Sequence, residues 1–317
     1  MRWLVTGGVG FIGYHVSRAL LTRGDEVSIA DDFSDAPYPR AEKLRNERDL
    51  RAEFPSVTIA RACVTDREAM APLVAGCHGV LHLAGLAGVR PSFREPARYS
   101  RVNIEGSATM LELARAAGCN RFVFASSSSV YGNSTPLPAR EDAPCVVPES
   151  PYAASKRAAE LVTAAIGQIA REMPITALRF FTVYGPRQRP EMAITLFMRA
   201  VLAGRPITLF GDGSMRRDFT HVSDIAAGVL AAMDRAPAGF RAYNLGSGAP
   251  VTLRELVDQL ERAASRRAVI EPANVPAGDV DATFADISRA RDELGWTPKV
   301  ALADGLETVR DWVSAHP

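Results

Sequence analysis

Up to residue 181, short apolar runs alternate with stretches whose apolar positions recur at helical spacing. The runs are Trp3-Leu4-Val5 and residues 26–30, 57–59, 79–85, 121–125 and 175–181. Helical patterns occupy 16–21, 66–74, 103–117 and 153–171 between them. Two connections stand out, a long and partly basic stretch at 33–45 and a proline-rich one at 136–151. Both read as loops. Repeated strand–helix units of this length predict an α/β fold, a doubly wound parallel sheet with helices on both faces. After Gly185 the character shifts. Residues 186–190 are basic and turn-rich, and helices are expected at 192–203, 223–233, 253–264 and 303–315. Short strands fall at 207–210, 242–246 and 268–270, with turns or loops at 211–214 and 276–279 and a charged segment at 216–221. The expected division is one domain of residues 1–185 with elements near 218–246 returning to it. A smaller mixed α/β lobe then comprises 186–217 and 247–317.

Composition narrows the class more than the fold. The 317 residues are 47% hydrophobic with a net charge of +1, an ordinary soluble globular profile. A charge so near neutral gives no support for a nucleic-acid or membrane partner. Cysteines 63, 77, 119 and 145 have no C-x-x-C or other metal-ligand spacing, so free thiols and no metal are expected. No apolar run reaches bilayer-spanning length, and residues 1–7 read as a strand entering a turn, not as a signal peptide. A cytoplasmic protein is expected.

Chemistry concentrates in two places. Gly7-Gly8-Val9-Gly10-Phe11-Ile12-Gly13 follows a strand and opens a helix. In that context glycines permit the tight turn and let backbone N–H groups approach a pyrophosphate. The plainer reading is a βαβ unit whose glycines serve close packing alone. Asp31-Asp32 ends the next strand, where an acid accepts from an adenosine ribose and repels a 2′-phosphate, so NAD is favoured over NADP. The second place is Tyr152 with Lys156, four apart and therefore on one helix face. An ammonium there is expected to lower the tyrosine's pKa toward that of a usable base. A hydroxyl from the run Ser126 to Ser129 would hold the oxygen whose proton Tyr152 removes. Lysine occurs only at 43, 156 and 299 in a chain that otherwise uses arginine, which fits a site needing a compact point charge. His82, inside an apolar run, reads as a packed histidine.

Together these residues resemble the extended short-chain dehydrogenase/reductases, the nucleotide-sugar epimerase/dehydratase family with a Rossmann-type NAD domain. The resemblance covers essentially the whole chain. It rests on Gly7, Gly10, Gly13, Asp31, Asn103, the serine run before Val130-Tyr131-Gly132, Tyr152, Lys156, Arg217-Asp218-Phe219 and Gly278-Asp279. It implies tightly held NAD, with Phe11, Ile12, Val64, Leu83, Ala84, Gly85 and Asn103 also at the cofactor. It implies a catalytic Tyr152, Lys156 on the nicotinamide ribose, and Ser127 as hydroxyl partner. Ser128 and Ser129 would lie beside the sugar, and Arg217 and Asp279 would hold the nucleoside diphosphate. The simpler reading of Arg217 is a surface ion pair with Asp218. A UDP-sugar substrate and a homodimer built on helices 103–117 and 153–171 are implied as well.

Within the family, residues 179–193 and the 33–45 loop are similar to the branch that epimerises UDP-glucuronate at C4. Thr182 and Arg189 would then join Ser128 and Ser129 at the carboxylate, although a solvated loop charge is the simpler reading of Arg189. Three departures stand at Cys63, Pro276 and Glu191. The alternatives are a neutral UDP-hexose 4-epimerase, a UDP-glucuronate decarboxylase, or a silent NAD-binding scaffold. Dehydration is disfavoured, since Ser128 and Ser129 cannot move a C5 proton.

Overall fold

The computed structural model describes residues 1–35, 37–274 and 280–316. The chain opens with strand β1 (Arg2–Thr6), helix α1 (Phe11–Thr22), β2 (Glu26–Asp31) and α2 (Arg40–Glu53). β3 (Thr58–Arg61), α3 (Arg67–Val74) and β4 (Gly79–His82) continue the alternation. Two short helices, α4 (Val89–Arg94) and α5 (Pro96–Ser100), lead through a π turn (Arg101–Glu105) into α6 (Gly106–Ala116). β5 (Arg121–Ser127) runs into a 3-10 turn (Ser128–Tyr131), and α7 (Pro151–Ile169) and β6 (Pro174–Phe180) follow. Then come β7 (Thr182–Tyr184), α8 (Ala193–Ala203), β8 (Pro206–Phe210), β9 (Arg216–Arg217), β10 (Phe219–His221), α9 (Val222–Arg235) and β11 (Gly239–Leu245). β12 (Val251–Thr252), α10 (Leu253–Ala264), β13 (Val269–Ala273), α11 (Ser288–Leu294) and α12 (Leu302–Ala315) complete the chain.

Seven parallel strands form the main sheet in the order β11-β6-β5-β4-β1-β2-β3. Both faces are covered, which is why its strands read as continuous apolar runs. Trp3, Val5, Leu81 and Val123 pack to one side with Val16 of α1 and Ile225 of α9. Leu4, Val80, Phe122 and Phe124 pack to the other with Met70 of α3 and Met110 of α6. Strand order reverses between β1 and β4, so their C-terminal ends diverge and open a crevice. The remaining strands pair in twos, β7 with β10, β8 with β13 and β9 with β12. Around them α8, α10 and α12 bury a separate core that includes Phe197, Leu256 and Leu306.

One expectation is corrected. Residues 40–45 do not belong to a loop but begin the fourteen-residue helix α2. Its buried positions are Lys43, Asn46 and Leu50, at helical spacing but mostly polar, so no apolar stripe marks it in the sequence. His82 is packed as expected. Its ring nitrogens meet Thr6 Oγ1 at 2.8 Å and Ser107 Oγ at 3.2 Å, and burial pulls its pKa down to about 3. All four cysteines are free.

A buried ion pair ties the sheet to α7. Glu160 and Arg179 expose only 1% and 3% of their side chains, and Arg179 donates twice to Glu160 at 2.9 Å. Glu160 also accepts from Ser126 Oγ at 2.6 Å, at the head of the serine run. Arg179 lies over the Tyr131 ring, and Tyr131 donates to Asn244 on β11 at 2.6 Å. Removing one partner leaves a buried charge uncompensated. Glu160→Ala is therefore expected to lower stability by about 3–5 kcal/mol in chemical unfolding. A loss below ~1 kcal/mol, the size of an exposed pair's contribution, would show that the pair does not hold this junction.

Candidate active site

The C-terminal ends of β1, β2, β4, β5 and β6 border one cavity of about 820 Å³ at the strand-order reversal. Its first wall is the glycine-rich turn. Gly7 has φ +67°, and a side chain there would bring its Cβ within 2.7 Å of Ala84 N; one at Gly13 would collide with Gly7 O. Those two positions accept glycine alone. The turn hands the chain to α1, whose cap residue Gly10 makes no side-chain bond, so the first-turn N–H groups meet the cavity. Phe11 and Ile12 line this wall, and Val64, Leu83, Ala84 and Gly85 line the facing one.

Asp31 closes the end of β2, buried, accepting from Phe33 N and from Lys43 Nζ, each at 2.9 Å. Burial raises the pKa of its carboxyl and the Lys43 charge opposes that rise. Lys43 was not singled out by the sequence, though its rarity as a lysine was a signal. The backbone cradle for a pyrophosphate and the acid at the β2 end fit a dinucleotide that carries a free 2′-hydroxyl. Asn103 does not reach the cavity. Its amide is spent on Leu86 N, Leu86 O and Ser155 Oγ at 2.8–3.0 Å, so it builds the wall behind Gly85.

Tyr152 lies in the first turn of α7, which Pro151 starts and Ser150 caps through a bond to Ala153 N. Lys156, one turn on, donates to Ala125 O at 2.8 Å beneath Gly85. The expected lowering of the Tyr152 pKa by Lys156 is corrected. Desolvation raises that phenol, and what opposes the rise is the neighbouring Ser127 hydroxyl, then the Arg189 charge. Lys156 is itself desolvated, which brings its pKa down to about 8, with Glu160 acting the other way. The Ser127 hydroxyl also contacts Ser129 Oγ at 3.1 Å and accepts from Ser129 N at 3.2 Å.

Ser128, Ser129, Thr182, Arg189 and Arg217 line the same cavity toward the smaller lobe. Arg189 is held by Glu191 Oε1 at 3.2 Å and Met192 Sδ at 3.1 Å. Arg217 donates to the carbonyls of Arg216 and Asp281, at 3.0 and 3.2 Å. It is not paired with Asp218, whose carboxylate accepts from Ser247, Gly248 and Ala285. Asp279, Gly278 and Pro276 lie outside the described residues. Beyond Arg217, Arg90 stacks over Phe210 at 5.5 Å, and nothing in the sequence pattern marked either.

A family model described as the NAD dependent epimerase/dehydratase family matches residues 3–246. The chain is 37% identical to the UDP-glucuronate 4-epimerase of Thermodesulfobacterium geofontis, over 98% of this chain and 95% of that protein. The crystal structure of the Bacillus cereus UDP-glucuronic acid 4-epimerase with UDP-glucuronic acid and NAD superposes with a TM-score of 0.92. The two are 33% identical and the match covers 99% of both chains. The Thermotoga maritima UDP-glucose 4-epimerase with UDP-glucose is also similar, with TM-score 0.87, 31% identity and 99% coverage of both.

The buried lysine has a measurable signature. Its folded pKa of about 8 lies below the ordinary 10.5, so between those values the unfolded chain binds a proton that the folded chain does not. Stability of the nucleotide-free protein therefore gains from Lys156 as pH rises through that window. Thermal melts across it should show a steeper gain for the wild type than for Lys156→Met. Parallel profiles would mean that Lys156 is not desolvated.

Proposed function

The chain belongs to the NAD dependent epimerase/dehydratase family, and from that premise we propose that it interconverts UDP-glucuronate and UDP-galacturonate. The observation that carries this reading is one cavity holding the Tyr152–Ser127 pair together with Arg189, whose charge bears on the Tyr152 phenol. NAD, when bound, supplies reversible hydride transfer at C4 of the sugar. Gly7, Gly10 and Gly13 would give its pyrophosphate room, Asp31 would receive its adenosine ribose, and Lys156 would hold the nicotinamide ribose. Tyr152 takes the proton of the 4-hydroxyl and later returns it, while Ser127 holds that oxygen in line.

The uronate carboxylate demands a second task. A 4-keto uronate is a β-keto acid and loses CO2 when the carboxylate's C–C bond aligns with the carbonyl π system. Ser128, Ser129 and Thr182 offer neutral donors, and Arg189 a forked cation, to hold it out of that alignment. Arg217 takes the diphosphate at the far end, and Asp279, outside the described residues, is assigned with it to the nucleoside diphosphate by the family resemblance alone. Residues 1–185, with elements near 218–246, thus serve the cofactor, and 186–217 with 247–317 serve the nucleotide sugar. The fold likeness to a UDP-glucose 4-epimerase keeps a neutral hexose as the second reading.

The protein works as a cytoplasmic homodimer in this reading. Supporting the dimer, α7 turns Ala154, Leu161, Ala165 and Ile169 outward, with Leu161 and Ile169 55% and 77% exposed. Four free thiols are in keeping with a reducing compartment, and among the described residues no helix is long and apolar enough to cross a membrane. A monomeric mass in solution at micromolar concentration would refute the dimer. Tyr152→Phe is expected to fold and retain NAD while turnover of UDP-glucuronate falls by about 10²–10⁴-fold. The wild type should turn over UDP-glucuronate in preference to UDP-glucose in parallel assays with product identification. Near-normal turnover by the variant, or preference for UDP-glucose, would overturn the respective assignment.

A further inference from the structure

The loop that carries Arg189 to the sugar end is fastened to the opposite, cofactor side of the molecule. Arg187 holds a left-handed backbone, φ +68°, which a non-glycine residue adopts only where its surroundings over-determine it. Its guanidinium lies between two rings, 4.0 Å from the centroid of Tyr14 on α1 and 4.6 Å from that of Trp312 on α12. The same group donates to Asn46 Oδ1 and, at 2.7 Å, to Asp49 Oδ2, both on α2. Asn46 is fully buried, and its amide nitrogen donates to Val9 O in the glycine-rich turn at 2.9 Å and to Tyr38 Oη at 3.1 Å. Tyr38 returns to the loop by donating to Arg187 O at 3.0 Å, and His15 Nε2 meets Pro186 O at 3.0 Å. Gln188 locks the next step, bonded to Val183 O at 2.7 Å and to Thr195 Oγ1 at 2.9 Å.

Arg187 does not line the cavity, yet Arg189, two residues on, does. The helix that grips Arg187 also presents Lys43 to Asp31. A guanidinium satisfied from the side by a fork and from both faces by rings has one orientation, and the backbone bonds on either side forbid the loop to slide. We propose that Arg187 is a positioning residue for acid recognition. By hanging the loop from α2, it sets where Arg189 meets the substrate carboxylate, in register with the bound dinucleotide. This inference rests on the reading of Arg189 as the carboxylate's partner, and the two can fail separately.

The test is a double-mutant cycle of Arg187→Lys and Arg189→Ala, read as kcat and KM for UDP-glucuronate, affinity for UDP-glucose, and NAD content. Lysine keeps the charge but cannot make the fork or stack flat on the rings. Arg187→Lys should lose about ten- to a hundredfold in kcat/KM for UDP-glucuronate, mainly through KM, because a misplacement near 1 Å costs on that scale. UDP-glucose affinity and NAD content should hold, and the double variant should be no worse than Arg189→Ala alone. Should Arg187→Lys not fold, Asp49→Asn, which weakens one prong, enters the same cycle. A wild-type profile for the Arg187 variant, or a loss that adds in full to that of Arg189→Ala, overturns the positioning role and leaves the carboxylate reading standing. If Arg189→Ala alone handles UDP-glucuronate as the wild type does, the carboxylate reading falls and takes this inference with it.

Discussion

Desolvation of Tyr152, half-buried in the cavity wall, and of the buried Lys156 is the constraint on which the rest of this molecule depends. Desolvation pushes the phenol up and the ammonium down, so each is driven toward its neutral form. Neither group is set by the other alone. Ser127 and Arg189 oppose the shift at Tyr152, and Glu160 opposes it at Lys156. Those groups come from β5, the β7–α8 loop and the next turn of α7, so the chemistry requires three separate segments to be brought to one point. The Glu160–Arg179 pair shows how tightly that point is built, because the residue tuning Lys156 also fixes the sheet and the serine run.

The parts of the fold that were legible in the sequence are those whose physics is local. Strands β1, β4 and β5 announce themselves as apolar runs because helices cover both sheet faces. The glycine-rich turn is legible because close approach to Ala84 leaves no room for a side chain. Tyr152, Lys156 and Ser127 lie within one helix turn or one strand end of a readable pattern. What was not legible depends on distant partners. Helix α2 hid because its inward face is Lys43 and Asn46, polar residues whose burial makes sense only beside Asp31 and the Arg187 loop. The source of the Tyr152 shift was misread because spacing gives proximity along a helix but not how much water the fold removes. Asn103 is expected at the cofactor, and its amide holds Leu86 and Ser155 behind Gly85, a role that no local pattern shows.

If Arg189 meets the substrate carboxylate, specificity in this architecture is a property of connections more than of the sheet. A UDP-glucuronic acid epimerase and a UDP-glucose epimerase share this scaffold at TM-scores of 0.92 and 0.87. In the proposed reaction the glycine-rich turn, Asp31 and the α7 pair serve the cofactor chemistry that a uronate and a hexose would share. The β7–α8 loop would meet the part in which they differ, and it is held by Tyr14, Asn46 and Asp49 from helices on the cofactor side.

The pairing of β6 with β11 carries a further consequence, for the order in which the protein is made. Their parallel register runs from Pro174 opposite Gly239 to Phe180 opposite Leu245. Everything between, including α8 and the loop with Arg187 and Arg189, is therefore synthesised while β6 is still an open edge of the sheet. An unpaired parallel edge in a growing chain is a template for wrong partners. Only when residue 245 leaves the ribosome can the edge be capped from within. Helix α8 is thus made before the main sheet is finished, and it waits longer still for α10 and α12, with which it builds the second core.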